Sequence, residues 1–592
     1  MTAAPTRTGP PAGPDQGPGK RPGQGSGQEP DRRPGRPRGF ARGRLGVPAW
    51  TVAVAVPTVF LAIFFVYPAG TLIATGFVSE GHLDLGGVAD VLGRSRTWRL
   101  LGLTLGQALV GTALSVALGL PGAYVLYRRR FRGQGVARAL VTVPFVLPTV
   151  VVGVAFRALL AEGGPLGFLG LDGTVTAVIA ALVFFNYAVV VRSVGALWQR
   201  LDPRAEQAAA ALGASPWRVF RTVTLPSLVP AIASAASLVF LFCATAFGIV
   251  LVLGGPRVGT IETEIWIQTT QFLDLRAAAV LSVLQVVIVI GALIGSNVAR
   301  RRREVALRLT GLTVAPRPLR WRGGDGAAIA VTAVTVAILH VLPMAHLLLA
   351  SLRTPDGWGL GNYLALGGTG EHSALSVSVW QAAANSLRVA VDATLLAVTI
   401  GTLVAVVVSR SPRRPWLRRG AAGLDAAFML PLGVSAVTVG FGFLITLNRP
   451  PLDLRESLIL IPIAQAVVAI PLVVRTVAPV LRAIDPRLRE AAAVLGAAPG
   501  RVLRYVDGPF LLRALGPAIG FAFAVSLGEF GATSFLSRPE RPTLPVVIFR
   551  LIGRPGEQNY GMALAAAVIL AILTATIMTL AERLRGEHSS DF

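Results

Sequence analysis

The 592-residue chain contains little charge, one cysteine and one lysine. Cys243 alone cannot form an intramolecular disulfide, so the chain has no disulfide framework and no cysteine-based metal or redox motif. Because Lys20 is the only lysine, the Gly-x-x-x-x-Gly-Lys-Ser/Thr loop that binds the phosphates of ATP is absent. Any ATP hydrolysis linked to this protein must therefore come from another subunit.

Patterns for metal binding and catalysis are also missing. The five histidines lack the spacing of metal ligands, since His340 and His346 are six residues apart and fall on different faces of a helix. No Gly-x-Ser-x-Gly motif or paired-carboxylate arrangement stands out. We therefore expect no catalytic residue, no metal site and no cofactor in this chain.

Long apolar stretches take up most of the sequence. Hydrophobic residues make up 53% of the chain and charged residues 14%, against about 25% charge in soluble domains. Each stretch is about 20 residues long, which is enough to cross a ~30 Å hydrocarbon core as a helix. The sequence thus predicts an all-α membrane protein with 12 transmembrane helices in a lipid bilayer. Their centres lie near Leu61, Leu114, Val151, Ala181, Leu238, Val287, Thr335, Leu396, Val437, Ala466, Phe523 and Ile572.

Arginines in the loops predict the orientation. Residues 1–48 are rich in Pro, Gly, Gln and Arg, which predicts a disordered cytoplasmic tail. Beyond the tail, arginine clusters occupy every second loop, and basic residues in short loops stay in the cytoplasm. We therefore expect a multi-pass protein of the cytoplasmic membrane with both termini in the cytoplasm. The net charge of +25 follows from this topology and does not indicate nucleic-acid binding. The clusters are at residues 128–132, 192–221, 300–303, 410–419 and 475–504.

The second half of the chain repeats the first at an offset of 283 residues. Both halves begin with an outward-going helix, so they are predicted to be two parallel six-helix repeats, residues 49–312 and 313–592. A pore between the halves follows from this arrangement. The offset pairs Pro148 with Pro431, Arg192 with Arg475, Asp202 with Asp485, Gly213 with Gly496, Pro216 with Pro499 and Phe247 with Phe530.

The best-matched stretches are two cytoplasmic loops, residues 201–226 and 484–509. They have the sequences LDPRAEQAAAALGASPWRVFRTVTLP and IDPRLREAAAVLGAAPGRVLRYVDGP. In each loop Asp-Pro starts a helix, an alanine run continues it, a glycine ends it and a proline suits the first turn of another helix. The pattern predicts a rigid helix-turn-helix projection beneath each half.

These loops resemble the Glu-Ala-Ala-x-x-x-Gly loop of binding-protein-dependent ABC importer permeases. The resemblance implies the type I ABC importer permease fold, with a coupling helix in each loop that docks on the ATP-hydrolysing subunit. In this sequence the second loop differs at Gly508-Pro509, where the first has Leu225-Pro226, so the two ATPase contacts are expected to be unequal. The first loop has Gln207 at the acidic position, with Glu206 beside it. The coupling residues are Glu206, Gln207, Ala208, Ala209 and Gly213 in the first loop and Glu490, Ala491, Ala492 and Gly496 in the second.

The resemblance also implies partners and a class of substrate. The partners are two copies of an ABC ATPase subunit and an extracytoplasmic substrate-binding protein, and a duplicated single-chain permease is similar to those for ferric iron and thiamine. The segment at residues 247–266 favours the thiamine type. A twelve-helix secondary transporter of the major facilitator type is the alternative, although its long cytoplasmic connection normally lies between the halves.

Polar residues within the apolar stretches are candidates for function. Glu529 is a candidate contact for a cationic substrate or the binding protein, with a place among lipid headgroups as the alternative. Arg388 and Asp392 are expected to neutralise each other, because they are four residues apart. Asn186, Gln285 and Gln465 are expected to form hydrogen bonds between helices.

Overall fold

The computed structural model describes residues 46–586 except 80, 256–257, 302–316, 320–324, 410–414, 449 and 451. The predicted tail therefore lies almost wholly outside the described residues, as does the predicted boundary at residue 312. The described chain is helical, with three small two-stranded sheets: β1 (Val78–Ser79) with β2 (His82–Leu83), β3 (Arg129–Arg130) with β4 (Arg317–Pro318), and β5 (Arg353–Thr354) with β6 (Gly357–Trp358).

Thirteen α-helices precede residue 302 in the described chain. They are α1 (Gly46–Leu61), α2 (Tyr67–Phe77), α3 (Leu85–Gly93), α4 (Ser95–Ala123), α5 (Gln134–Thr142), α6 (Thr149–Leu160), α7 (Val175–Trp198), α8 (Arg204–Ala211), α9 (Pro216–Val219), α10 (Leu225–Ala244), α11 (Gly248–Leu253), α12 (Ile261–Thr270) and α13 (Leu275–Arg301). Short π-helical turns at Ala62–Val66 and Phe220–Thr224 join α1 to α2 and α9 to α10.

Another thirteen α-helices follow in the described chain. They are α14 (Gly326–Thr335), α15 (Leu342–Ser351), α16 (Gly361–Leu364), α17 (Val379–Ser409), α18 (Pro415–Met429), α19 (Ala436–Thr446), α20 (Leu460–Arg482), α21 (Pro486–Val494), α22 (Pro499–Val502), α23 (Gly508–Gly528), α24 (Thr533–Leu536), α25 (Leu544–Ile552) and α26 (Glu557–Gly586). Below, the first part denotes residues 46–301 and the second part residues 317–586.

Ten helices in the described residues are long and apolar enough to cross a membrane, or eleven if one bent pair counts as a span. Ten of the twelve predicted centres lie in the ten long helices. Val151 lies in the bent pair, and Val437 lies in α19, a shorter apolar helix. The ten helices cover Thr51–Phe77, Ser95–Arg128, Val175–Trp198, Pro216–Ala244, Leu275–Ala292, Gly326–Ser351, Val379–Ser409, Leu460–Arg482, Gly500–Gly528 and Glu557–Ala581.

Proline accounts for the bent pair. Gln134–Val146 and Thr149–Leu160 meet at 106°, with Pro144 in the 3₁₀ turn and Pro148 at the N-cap of α6. Proline lacks a backbone N–H and cannot continue the hydrogen-bond ladder of a helix. The corresponding 3₁₀ turn in the second part contains Pro431, followed by the N-cap Ser435. In the structure Pro431 thus corresponds to Pro144, so the predicted pairing of Pro148 with Pro431 is wrong by four residues.

Local capping helps to set where the connecting helices begin. The side chain of Asp84 accepts a hydrogen bond from the Gly87 N–H at 3.1 Å at the start of α3. Thr260 and Thr263 form a reciprocal capping box at the start of α12. Such caps satisfy N–H groups that have no partner within the helix.

The first helix of each part packs on the other part. Helix α1 packs against α17 and α2 against α19, while α14 packs against α4 and α15 against α6. Within each part, three long helices pack on one another: α4, α7 and α10 in the first, and α17, α20 and α23 in the second. The two parts are therefore interlocked, and their facing surfaces are largely buried.

Candidate functional site: two elbows and a ring cluster

The first elbow is the α8–α9 helix-turn-helix, residues 204–219. It ends α8 with a Schellman turn, in which the Gly213 N–H donates to the Ala210 carbonyl at 3.0 Å and the Ala214 N–H to the Ala209 carbonyl at 3.1 Å. Gly213 has a φ of +82°, which a residue with a side chain rarely adopts. The Ser215 side chain then caps α9, accepting from the Arg218 N–H at 3.4 Å. The predicted helix, glycine turn and second helix are all present.

The second elbow, α21 with α22 at residues 486–502, has the same backbone. Gly496 has a φ of +80°. The Gly496 N–H donates to the Ala493 carbonyl and the Ala497 N–H to the Ala492 carbonyl, both at 3.0 Å. Asp485 caps α21 at its start. Two loops 283 residues apart therefore fold into one geometry.

Both elbows expose most of the predicted coupling residues, but Glu206 is half-buried and bonds inward to Thr224 and Arg128. On the first elbow Ala209 is half-buried, and the exposed residues are Gln207, Ala208 and Gly213. On the second elbow Ala492 is half-buried, and the exposed residues are Glu490, Ala491 and Gly496. Leu212 and Leu495, which precede the two glycines, are 90% and 87% exposed. These leucines were not among the residues predicted from the sequence, although a leucine before the glycine recurs at the repeat offset. The tip of each elbow thus exposes a leucine, and other apolar side chains are exposed on the same elbows, Trp217 by 69% on the first and Val494 by 82% on the second.

Each elbow is fastened to the long helix that follows it. On the first elbow, Glu206 accepts a hydrogen bond from the Thr224 hydroxyl at 2.9 Å and from the Arg128 guanidinium at 2.6 Å. On the second, the Arg489 guanidinium donates to the Asp507 carboxylate at 2.7 Å and to the Leu481 carbonyl at 3.0 Å. Positions 206 and 489, like 224 and 507, are 283 apart. The contact lies at the same place in both parts, but its residue types differ: a carboxylate with a hydroxyl in the first and a guanidinium with a carboxylate in the second.

Glu529 is buried, 7% exposed, at the end of α23. Its carboxylate accepts hydrogen bonds from the Ala532 N–H at 2.8 Å and from the N–H and hydroxyl of Thr533 at 3.0 and 2.6 Å. It thereby fastens the turn that leads into α24. The alternative of a place among headgroups is wrong, because this carboxylate is enclosed by protein.

Arg388 and Asp392 form no ion pair with each other within the described structure. Both line a cavity of about 500 Å³ together with Arg455, Glu456 and Glu540. The prediction of a self-neutralising pair is therefore wrong. The side chains point into a polar cavity between α17 and the loops around residues 455 and 540.

The predicted hydrogen bonds between helices are confirmed. The Asn186 amide donates to Cys243 Sγ at 3.4 Å, and the Gln285 amide to the Ala244 carbonyl at 3.0 Å. The Gln465 amide donates to the Thr533 hydroxyl at 3.1 Å.

Among the described residues no group of three His, Cys, Asp or Glu side chains could hold a metal ion.

Four aromatic rings form a closed cycle between the two parts, which we call the ring cluster. Phe247 and Trp266 come from the first part, and Phe530 and Phe549 from the second. Phe247 stacks on Phe530 with ring centroids 5.4 Å apart, and Trp266 meets Phe549 edge-on at 5.8 Å. Within each part the centroids are 6.5 Å and 5.4 Å apart. Phe247 and Phe530 are related by the repeat offset of 283, as predicted from the sequence, and Trp266 and Phe549 are related by the same offset, which was not predicted.

The helices that carry Trp266 and Phe549, α12 and α25, are both hydrogen-bonded at their start to a hydroxyl of a long helix. The Thr104 hydroxyl of α4 accepts a hydrogen bond from the Ile261 N–H at the start of α12, at 3.1 Å. The Ser386 hydroxyl of α17 accepts one from the Leu544 N–H at the start of α25, at 2.7 Å. Each of these two helices is thus anchored to a long helix of its own part.

Glu262 lies one turn before Trp266 on α12, outside the candidate spans. It is fully buried, and neither carboxylate oxygen has a hydrogen-bond partner among the described residues. Ser435 of the second part and Gln285 are polar side chains that face it. Burial raises the pKa of the Glu262 carboxyl to about 8, against a smaller opposing effect of these two side chains. The indole Nε1 of Trp266 is also buried and without a partner in the described chain.

Comparison with known proteins gives a family and full-length relatives. Residues 111–304 match the family described as binding-protein-dependent transport system inner membrane component. The thiamine transport system permease protein of Salmonella typhimurium is 30% identical, covering 84% of this chain and 90% of that protein. The Escherichia coli protein of the same name is 29% identical, covering 92% and 96%. A crystal structure of a bacterial ABC transporter for alginate import covers 44% of this chain and 98% of its own, at 18% identity and a TM-score of 0.37.

The full-length similarity overturns the major facilitator alternative, because relatives that cover most of the chain are permeases of another class. The chain is a multi-pass inner membrane component of its transport system. It is not the ATPase of that system. It belongs to the family of binding-protein-dependent ABC importer permeases.

Proposed function

We propose that this chain is the fused permease of a thiamine importer and forms the whole translocation pathway. The observation that carries the proposal is the identity of about 30% with two thiamine transport system permeases over more than four fifths of the chain. Ferric iron, the other substrate expected from the sequence, receives no support from these relatives. One ATPase subunit docks on each elbow, and an extracytoplasmic binding protein delivers thiamine to the opposite face.

The permease has twelve spans in two parallel six-helix repeats. The bent pair and the α18–α19 segment supply the spans beyond the ten long helices. Equivalent close contacts in the two parts support the repeat: a Cβ at Gly119 would lie 2.7 Å from Val190, and one at Gly401 would lie 2.7 Å from Val473. Small residues at these positions let membrane helices approach closely.

Each elbow docks in a groove of an ATPase subunit. The exposed alanines allow close approach, and the protruding Leu212 and Leu495 offer apolar surface that docking removes from water. The fastening contacts 206–224 and 489–507 then carry displacement of the elbow to α10 and α23.

Both termini lie in the cytoplasm, on the same side as the elbows. Support comes from the arginines around each elbow, including Arg200, Arg218 and Arg221 at the first and Arg487 and Arg501 at the second. Basic residues in short loops resist translocation. On ATP binding the ATPase subunits close, draw the elbows together and open the pathway outward.

Reconstituted transport tests this proposal. The permease, its ATPase subunit and its binding protein are placed in proteoliposomes, and uptake of labelled thiamine is measured with and without ATP. We expect uptake that requires both ATP and the binding protein. Uptake driven by an ion gradient without ATP contradicts the proposal, as does the absence of thiamine uptake by an assembled complex that hydrolyses ATP.

Substitution of Leu212 and Leu495 tests ATPase docking separately from the identity of the substrate. The double variant Leu212→Ser, Leu495→Ser is expected to lose co-purification of the ATPase and to lower thiamine uptake at least about tenfold. Leu364→Ser is the matched control, since Leu364 is 81% exposed but lies on α16, away from the elbows. Unchanged ATPase binding in the double variant contradicts the docking proposal.

A further inference from the structure

We propose that the ring cluster and Glu262 form the gate of the pathway and, when the rings part, a transit site for a flat aromatic cation. This inference rests on the proposed function and names a site for its substrate. The gate consists of Phe247, Trp266, Phe530 and Phe549, with the Glu262 carboxyl one helical turn from Trp266.

The ring cluster is placed to close a path between the two parts. Phe247 and Phe530 are 6% and 2% exposed, and they stack across the interface. The second contact across the interface, between Trp266 and Phe549, completes the cycle. Separation of the two parts breaks these two contacts, while the contacts Phe247–Trp266 and Phe530–Phe549 remain within their own parts.

The anchoring of α12 and α25 makes the rings move with their own parts. The start of α12 is bonded to Thr104 of α4, and the start of α25 to Ser386 of α17. The helices α4 and α17 each belong to the set of three long helices that pack together in their own part. Each set also contains the helix that follows the elbow, α10 in the first part and α23 in the second. A relative rotation of the parts therefore pulls one ring pair away from the other.

The chemistry of the opened cluster suits an aromatic cation. Rings stack on flat aromatic ligands, and the faces of Trp and Phe attract cations. Glu262 supplies a carboxyl that is fully buried and unpartnered in the closed arrangement, and Trp266 supplies an unpartnered N–H. Ser435 and Gln285, which face the Glu262 carboxyl, are neutral, so a cation that enters between the rings supplies the charge that a buried carboxylate needs as a partner.

Thiamine has the matching features, a positively charged aromatic ring joined to a second aromatic ring with hydrogen-bonding nitrogens. Opening admits water, which favours the charged form of Glu262, and the carboxylate then faces the cation. An anionic substrate meets repulsion at the same place. The site thereby selects for positive charge without holding the substrate tightly in the closed state.

Cross-linking tests the gate. In a Cys243→Ala background, Phe247→Cys with Phe530→Cys places two thiols where stacked rings lie 5.4 Å apart. A short bis-thiol reagent is expected to cross-link them without nucleotide, abolish ATP-driven thiamine uptake, and release the block when the link is reduced. Full thiamine uptake by the cross-linked complex overturns the gate.

Ring and charge substitutions test the transit site. Phe530→Leu is expected to raise ATP-independent leak of labelled thiamine several-fold, and Glu262→Gln to lower coupled uptake about tenfold while ATPase stimulation by the binding protein persists. Phe441→Leu is the matched control, because Phe441 is fully buried but its one aromatic pair among the described residues is with Phe535, outside the ring cluster.

The outcomes separate the two proposals. If the unaltered complex takes up no thiamine, the proposed function fails. If it takes up thiamine, and Phe530→Leu and Glu262→Gln both behave like Phe441→Leu, the ring cluster is ordinary core packing and this inference alone is overturned.

Discussion

The two elbows have one backbone and two different fastenings. Gly213 and Gly496 adopt φ values of +82° and +80°, and the same two hydrogen bonds close each turn. The contact to the following long helix, however, is a carboxylate with a hydroxyl on the first elbow and a guanidinium with a carboxylate on the second.

This difference indicates which feature the fold requires. Positions 206 and 489 both hold the elbow against the base of a long helix, and either sign of charge serves there. The geometry of the turn admits little variation, since it needs a left-handed residue at one position. We infer that the elbows must be rigid and fastened, and that the chemistry of the fastening is exchangeable.

The largest expected effect comes from Arg489→Ala. Asp507 is 1% exposed, and loss of its guanidinium partner leaves a buried carboxylate less compensated. We expect the free energy of unfolding to fall by about 3 kcal/mol. Glu206→Ala is expected to cost about 1–2 kcal/mol, because Glu206 and Arg128 are less completely buried. Denaturation of the purified permease in detergent measures both.

A control and a transplant sharpen this comparison. Arg487→Ala removes a neighbouring exposed arginine, and its expected effect is within about 0.5 kcal/mol. The double variant Arg489→Glu, Asp507→Thr installs the first elbow's hydrogen-bonding pair on the second, and is expected to be more stable than Arg489→Ala. Equal effects of Arg489→Ala and Arg487→Ala contradict the importance of the fastening.

The elbows could be predicted from the sequence because their signals are local. Asp-Pro, an alanine run, glycine and proline each act within a few residues, and two copies at one offset exclude coincidence. The fastening contacts could not, since they join positions 18 residues apart and their residue types differ between the copies.

Other parts of the site depended on tertiary structure. Glu529 bonds to backbone that turns back after α23, so its burial is not visible in the apolar pattern. The bent pair shifted the repeat by four residues around Pro144 and Pro431, which one fixed offset could not follow. Trp266 and Phe549 share the offset of 283 but differ in type, and only the structure brings their rings together.

An intermediate effect is expected from Gly213→Val and Gly496→Val. A Cβ at either position meets no atom within 4 Å, so the cost comes from the left-handed backbone alone, about 1–2 kcal/mol for a residue with a side chain. Because the φ values agree, the two variants should lose equal stability and equal ATPase binding, measured by denaturation and co-purification.

Asparagine provides the matched control for the glycines. Asn adopts the left-handed conformation more readily than valine, so Gly213→Asn and Gly496→Asn should retain most ATPase binding. A large loss at one elbow and none at the other would show that the shared backbone is not what the two ATPase contacts require.

The smallest expected effect is that of Thr224→Val. The hydroxyl that bonds Glu206 is lost, but Arg128 still bonds that carboxylate at 2.6 Å, so we expect a loss of about 1 kcal/mol in the free energy of unfolding. Thr222→Val is the control, since its exposed hydroxyl bonds only the Arg218 carbonyl in the described chain. If Thr224→Val is as stable as Thr222→Val, Arg128 alone fastens the first elbow. The two elbows would then share an arginine–carboxylate pair, and they would differ in whether the elbow carries the carboxylate, as with Glu206, or the arginine, as with Arg489.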